Sequence, residues 1–185
     1  MSIYLYTSGM KKGLSLLSIA LLLGGCNTSP VENVNYKVPI DCNQQVVIDA
    51  FNDLVPGSRF VPTEWQPAAD TDLDAVLKNN GIACSYGIET AEIGGTVMWA
   101  ENKNDVWENR VNVWKKSGQI KIDLPGIDET EAYVLQEGST SADEMHVWGV
   151  NLLVGDIWIQ LNATFLQNLD EAVPLIRSAI SAAQE

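Results

Sequence analysis

The longest apolar stretch of the chain, residues 145–165, is broken at its centre by Gly155-Asp156. The flanking runs are rich in Val, Ile, Leu and Trp, and Gly-Asp between two such runs is a hairpin signal. Asn151 and Asp156 interrupt the apolarity, so the stretch is no membrane span. It reads as two strands, 145–154 and 157–165. A lone hairpin is marginal in water, so the rest of the chain must supply partner strands and a covering layer.

Those partners are legible. Residues 83–88 and 96–101 read as strands joined by a turn containing Gly94-Gly95. Ile120, Ile122 and Leu124 alternate as a further strand, and 131–137 adds another. Residues 43–54 read as a helix, with Val46, Val47, Ala50, Phe51 and Leu54 on one face and Asp41 or Asn43 as its cap. A loop with Pro62 and Pro67 follows. Asp70-Thr71-Asp72 opens a short helix that Asn80-Gly81 closes. Residues 104–116 form a helix with a Trp107, Val111 and Trp114 stripe and Lys115-Lys116 at its end. Residues 169–183 form the last helix. Helices at both ends and hairpin-connected strands between them give an α+β fold, an antiparallel sheet with helices packed on one face.

The N-terminus carries a different pattern. Lys11-Lys12 precede an apolar run from Gly13 to Gly25, followed by Cys26. The run is shorter than the roughly 20 residues a membrane-spanning helix needs. The order of basic residues, apolar core and Leu23-Gly24-Gly25-Cys26 resembles a bacterial lipoprotein signal with a lipobox. The resemblance implies cleavage after Gly25, a lipid on Cys26, and a domain held on the extracytoplasmic side of the cell membrane. Residues 1–25 are then the signal peptide, 26–38 a lipidated tether, and 39–185 one globular domain. Residues 1–9 hold no charge and fit poorly as the start of a signal, so Met10 is the better start.

The chain has 11 basic and 24 acidic residues, a formal net charge of −13. Loss of Lys11 and Lys12 with the signal leaves 9 against 24, a net of −15. Such a surface repels nucleic acid and anionic headgroups, which argues against nucleic-acid partners. Cys42 and Cys84 are an even pair in an exported chain. A disulfide is the expected state, with two free buried thiols as the alternative.

Cys42 ahead of the first helix, the 81–86 run Gly-Ile-Ala-Cys-Ser-Tyr, the 154–158 run Val-Gly-Asp-Ile-Trp and an Ala-rich last helix form a further pattern. It resembles small cell-envelope lipoproteins of actinobacteria, which are distantly similar to the extracellular sensor domains of mycobacterial receptor kinases. The resemblance covers about residues 40–183. It implies a two-cysteine α+β domain and brings no catalytic residues.

Candidate chemistry is sparse. Asp70, Asp72 and Asp74 open like a calcium loop, but Ala75 and Gly81 stand where an EF-hand needs Gly and Glu, so capping and the helix dipole explain them better. His146 is the only histidine and falls in a strand, with no Gly-x-Ser-x-Gly elbow to serve. Asp128, Glu129 and Glu131, and Asp143 with Glu144, read as solvated turns rather than glycosidase pairs. Asn162-Ala163-Thr164 matches a glycosylation sequon, which has little meaning in a bacterial strand. Of the tryptophans at 65, 99, 107, 114, 148 and 158, all but Trp65 fall on predicted elements and read as core. Trp65 lies in the Pro-rich loop and is the candidate ligand contact. The expectation is a non-catalytic module that needs no metal or cofactor and binds a small molecule, a glycan or a partner protein. A scaffold role without a ligand is the alternative, and a hydrolase comes third.

Overall fold

A computed structural model describes residues 34–137 and 147–184. Seven strands form one antiparallel sheet: β1 (Arg59–Val61), β2 (Ile82–Ile88), β3 (Ile93–Glu101), β4 (Ile120–Ile122), β5 (Glu131–Glu137), β6 (Val147–Val154) and β7 (Ile157–Ala163). Their order across the sheet is β1-β2-β3-β7-β6-β5-β4. The β6–β7 hairpin is central, so its apolar strands are covered on both sides. Four helices complete the fold: α1 (Gln45–Leu54), α2 (Asp72–Lys78), α3 (Val106–Lys116) and α4 (Leu169–Ala183). Among the described residues no helix is long and apolar enough to cross a membrane.

The α+β class and the antiparallel sheet agree with the sequence. The placement of all helices on one face does not. α1 and α4 pack on one face, where Val47, Phe51, Leu175 and Ala179 meet Val97, Trp99, Ile159 and Leu161. α2 and α3 pack on the opposite face, where Val76, Trp107, Val111 and Trp114 meet Met98, Ala100 and Trp158. The reason is visible along β3. Val97 and Trp99 point one way, Met98 and Ala100 the other, and all four are buried. A strand that is apolar at every position has two faces to cover.

Local signals set the helix ends. The Thr71 hydroxyl caps α2 by accepting the Asp74 N–H at 3.2 Å, and the Asn168 side chain caps α4 by accepting the Glu171 N–H at 3.1 Å. Cys42 and Cys84 form a disulfide with Cα atoms 5.4 Å apart, which ties the start of α1 to β2. The Trp99 indole N–H donates to the Ala179 carbonyl at 2.9 Å and ties β3 to α4.

Three details differ from the sequence reading. The Pro-rich loop begins with a short strand, β1, paired to β2. Gly94 and Gly95 lie inside β3, and the turn is made by the 3-10 segment Glu89–Ala91 and left-handed Glu92. A β-carbon on Gly94 would strike the Tyr86 carbonyl oxygen, so glycine serves close strand approach rather than reversal. The domain also starts before residue 39. Tyr36 pairs with Gln184 at the end of α4, and Tyr36 and Val38 pack on the α1–α4 core, because their apolar bodies find a surface there.

Candidate functional site

On the α2–α3 face, the sheet residues that alternate with the opposite core form rows. Ala83, Met98, Gln160, Asn151 and Tyr133 are in register across five strands. The next row on this face is Ser85, Thr96, Asn162, Gly149 and Leu135. Apart from Leu135 its side chains are small or polar, and Ser85, Thr96 and Asn162 are only half-buried. Two clefts open along this row. One, of about 330 Å³, is lined by Asp72, Leu73, Met98, Gln119, Leu135, Gly149, Gln160 and Asn162, together with Thr71. The other, also about 330 Å³, runs past Thr63, Ser85, Gly87, Gly94, Thr96 and Thr164. Asn162 lines both.

The wall of the first cleft is a polar network. The Asp72 carboxylate pairs with the Arg110 guanidinium, and the two side chains are 19% and 12% exposed. The Trp114 indole N–H donates to both Asp72 oxygens at 3.1 Å. Gln160 Nε2 donates to Asp72 Oδ2 at 2.8 Å. Arg110 also donates to the Asp70 carbonyl at 2.9 Å. Behind this wall Asn151, fully buried, accepts the Trp158 indole N–H and donates to Gln119 Oε1, both at 3.0 Å.

Two atoms of this network, Arg110 Nε and Gln160 Oε1, are buried without a hydrogen-bond partner, and Gln160 is 4% exposed. Rotating the amide would set that oxygen against the Asp72 carboxylate, so the orientation is dictated by charge. An unpaired buried carbonyl costs about 1–3 kcal/mol. Fully satisfied polar networks are the rule in protein interiors, and here the protein itself supplies no donor to this oxygen.

Thr63 Oγ1 donates to the Val61 carbonyl and is hydrogen-bonded to the Ser85 hydroxyl at 2.9 Å, a hydroxyl pair rather than a nucleophile with a base. Glu131 is not a turn residue. It opens β5 and accepts from Trp107, Lys121 and Tyr133. Burial pushes its carboxyl up, but those donors outweigh it and hold the group below its ordinary range.

Trp65 is half-buried, packs against the α2–α3 core, and donates its indole N–H to the Ala83 carbonyl at 2.7 Å. It takes up the β2 edge where β1 has ended, and it is not among the residues lining either cleft. The other five tryptophans are buried. Trp107, Trp114, Trp158 and Tyr133 stack into one cluster beneath α3. Asp70 is exposed and Asp74 pairs with Lys78 along α2, while Asp72 turns to Arg110 and Trp114. Cys26, Asp143, Glu144 and His146 lie outside the described residues.

The sequence reading missed Gln160, Asn162, Gln119 and Arg110. One signal was present: Asn151, Gln160 and Asn162 are amides at alternate positions of otherwise apolar strands, all on one face. No protein-family model matches the chain, and no curated protein matches it significantly.

Proposed function

We propose that the chain is a lipid-anchored envelope protein whose domain binds a ligand on the α2–α3 face of its sheet and performs no chemistry of its own. The observation that carries the binding reading is the buried, unpaired Gln160 carbonyl at the wall of a 330 Å³ cleft. A cavity with a few convergent polar groups is the ordinary form of a small-ligand site. The address rests on the lipobox-like run ending at Cys26, and kinship with the small actinobacterial envelope lipoproteins rests on the sequence pattern alone.

Two measurements test this. Cys26→Ser should release the protein from membranes or leave an unprocessed precursor, and unchanged fractionation with an unchanged mature mass refutes the anchor. For binding, a thermal-shift screen of polar small molecules is run on the wild type and on Gln160→Leu. Compounds that raise the midpoint of the wild type but not of the variant support the site. A screen whose every hit acts equally on both proteins, or that yields no hit, refutes it.

A further inference from the structure

We infer that the ligand is a neutral, hydroxyl-rich chain, a linear oligosaccharide, laid across the strands from the Gln160 cleft to the Gly94 cleft. This rests on the binding reading above and names the class of ligand. Charge comes first. Among the described residues Asp72 is the one charged residue lining the Gln160 cleft, and Arg110 neutralises it. Neither an anion nor a cation would find an unpaired counter-charge among the described residues of that cleft. Glu89 and Glu92 line the second cleft but are exposed at its rim, with Glu89 beside Arg59.

Hydrogen-bond character comes next. Gln160 Oε1 has no donor within the protein and is itself buried, so a ligand hydroxyl reaches it only as the side chains over it part. Gln119 already accepts from Asn151 through its oxygen, so its amide N–H groups are what it can offer a ligand. Thr164 donates to the Gly94 carbonyl and can accept in turn. A group that both donates and accepts at each step satisfies this mixture, and a hydroxyl does so. Leu73, Met98 and Leu135 supply apolar floor for the C–H face of a ring.

A peptide has the same dual character, but it binds sheets by adding a strand to an open edge. The row here lies on a sheet face. β3, β7 and β6 are paired on both sides, so a peptide backbone finds no unpaired ladder to join. Extent argues for an oligomer over a single ring. Ser85 to Leu135 crosses four strand spacings of about 4.8 Å, roughly 19 Å in all. Gly149 keeps the path open beside Asn162, since a β-carbon there would sit 3.1 Å from Asn162 Oδ1.

The full-length protein in detergent is titrated with maltotetraose, cellotetraose and tetra-N-acetylchitotetraose, with spermine and tetra-alanine as charged and peptide comparators. The side-chain amide NMR signals of Gln160 and Asn162 report contact. The fluorescence of the protein reports through Trp114 and Trp158, which bond to Asp72 and Asn151. At least one tetrasaccharide should move both amides, bind more tightly than the matching disaccharide, and lose about tenfold in affinity in Asn162→Ala. Asn162 is half-buried, so that variant keeps the test open if Gln160→Leu fails to fold. Silence from all three saccharides overturns the inference. If spermine or tetra-alanine moves the same amides instead, the ligand class is wrong and the binding reading stands. If no probe moves them and the thermal-shift screen finds no Gln160-dependent compound, both fall.

Discussion

Asp72 holds more of the α2–α3 face together than any other single side chain in the network, and Asp72→Ala tests that claim. Its carboxylate meets Arg110, the Trp114 indole N–H and Gln160 Nε2. Removing one partner of a fully buried ion pair costs about 3–5 kcal/mol. Here the two side chains are 19% and 12% exposed, which places the loss toward the lower end, about 3 kcal/mol. Two further donors lose their acceptor, at about 1 kcal/mol each. The three effects share one carboxylate and do not add fully, so the expected total is about 3–4 kcal/mol. For a domain of this size that lowers the thermal midpoint by roughly 10 °C. The assay is urea unfolding followed by tryptophan fluorescence and by far-UV circular dichroism. The midpoint should fall while the denaturant slope holds. Arg110→Met combined with Asp72→Ala should recover part of the loss, because the stranded guanidinium is gone. A loss under about 1 kcal/mol in Asp72→Ala, or strict additivity with Arg110→Met, refutes the network.

Three further outcomes follow from other parts of the fold. Replacing Cys42 and Cys84 together by alanine opens a closed loop with a sequence separation of 42 residues and should cost about 4 kcal/mol in a denaturant titration; a loss near zero overturns this. Gly95→Ala should destabilise by about 2 kcal/mol or more, since its β-carbon would lie 2.6 Å from the Asn162 carbonyl oxygen and 3.0 Å from the Phe51 ring, and a neutral result means that β3 can shift there. Glu131 has a folded-state ionisation below its ordinary 4.5, so its contribution is present above pH 4.5 and is lost as the pH falls through the lowered value. Glu131→Gln should therefore be less stable than the wild type at neutral pH and approach it in acid; a gap that does not narrow with acid removes Glu131 from the account.

Much of the scaffold was readable because it depends on neighbours in sequence. The hairpin around Gly155-Asp156, the 131–137 strand and the 169–183 helix follow from turn chemistry, alternation and a 3.6-residue stripe, all of which act within a few residues. β1 was not readable. Three residues followed by Pro62 carry too little pattern, and β1 exists because the β2 edge offers it hydrogen bonds. Gly94-Gly95 misled for a related reason, because a glycine pair that permits close strand approach looks the same in one dimension as a pair that makes a turn.

The site shows where such reading stops. The amides at 151, 160 and 162 could be counted, but nothing local says that Gln160 bonds to Asp72, 88 residues away, or that its carbonyl is left unpaired. Asp72 read as a helix-start acid, as its two aspartate neighbours are. Only the placement of α2 over β2 and β3, with α3 presenting Arg110 and Trp114, turned it inward. The sequence by itself determined the elements other than β1 and the α+β class, since propensity, turns and period are local. The tertiary structure alone decided which face each helix covers and which polar groups meet. Those contacts are made between residues far apart in the chain, and their energies depend on burial that no single segment possesses.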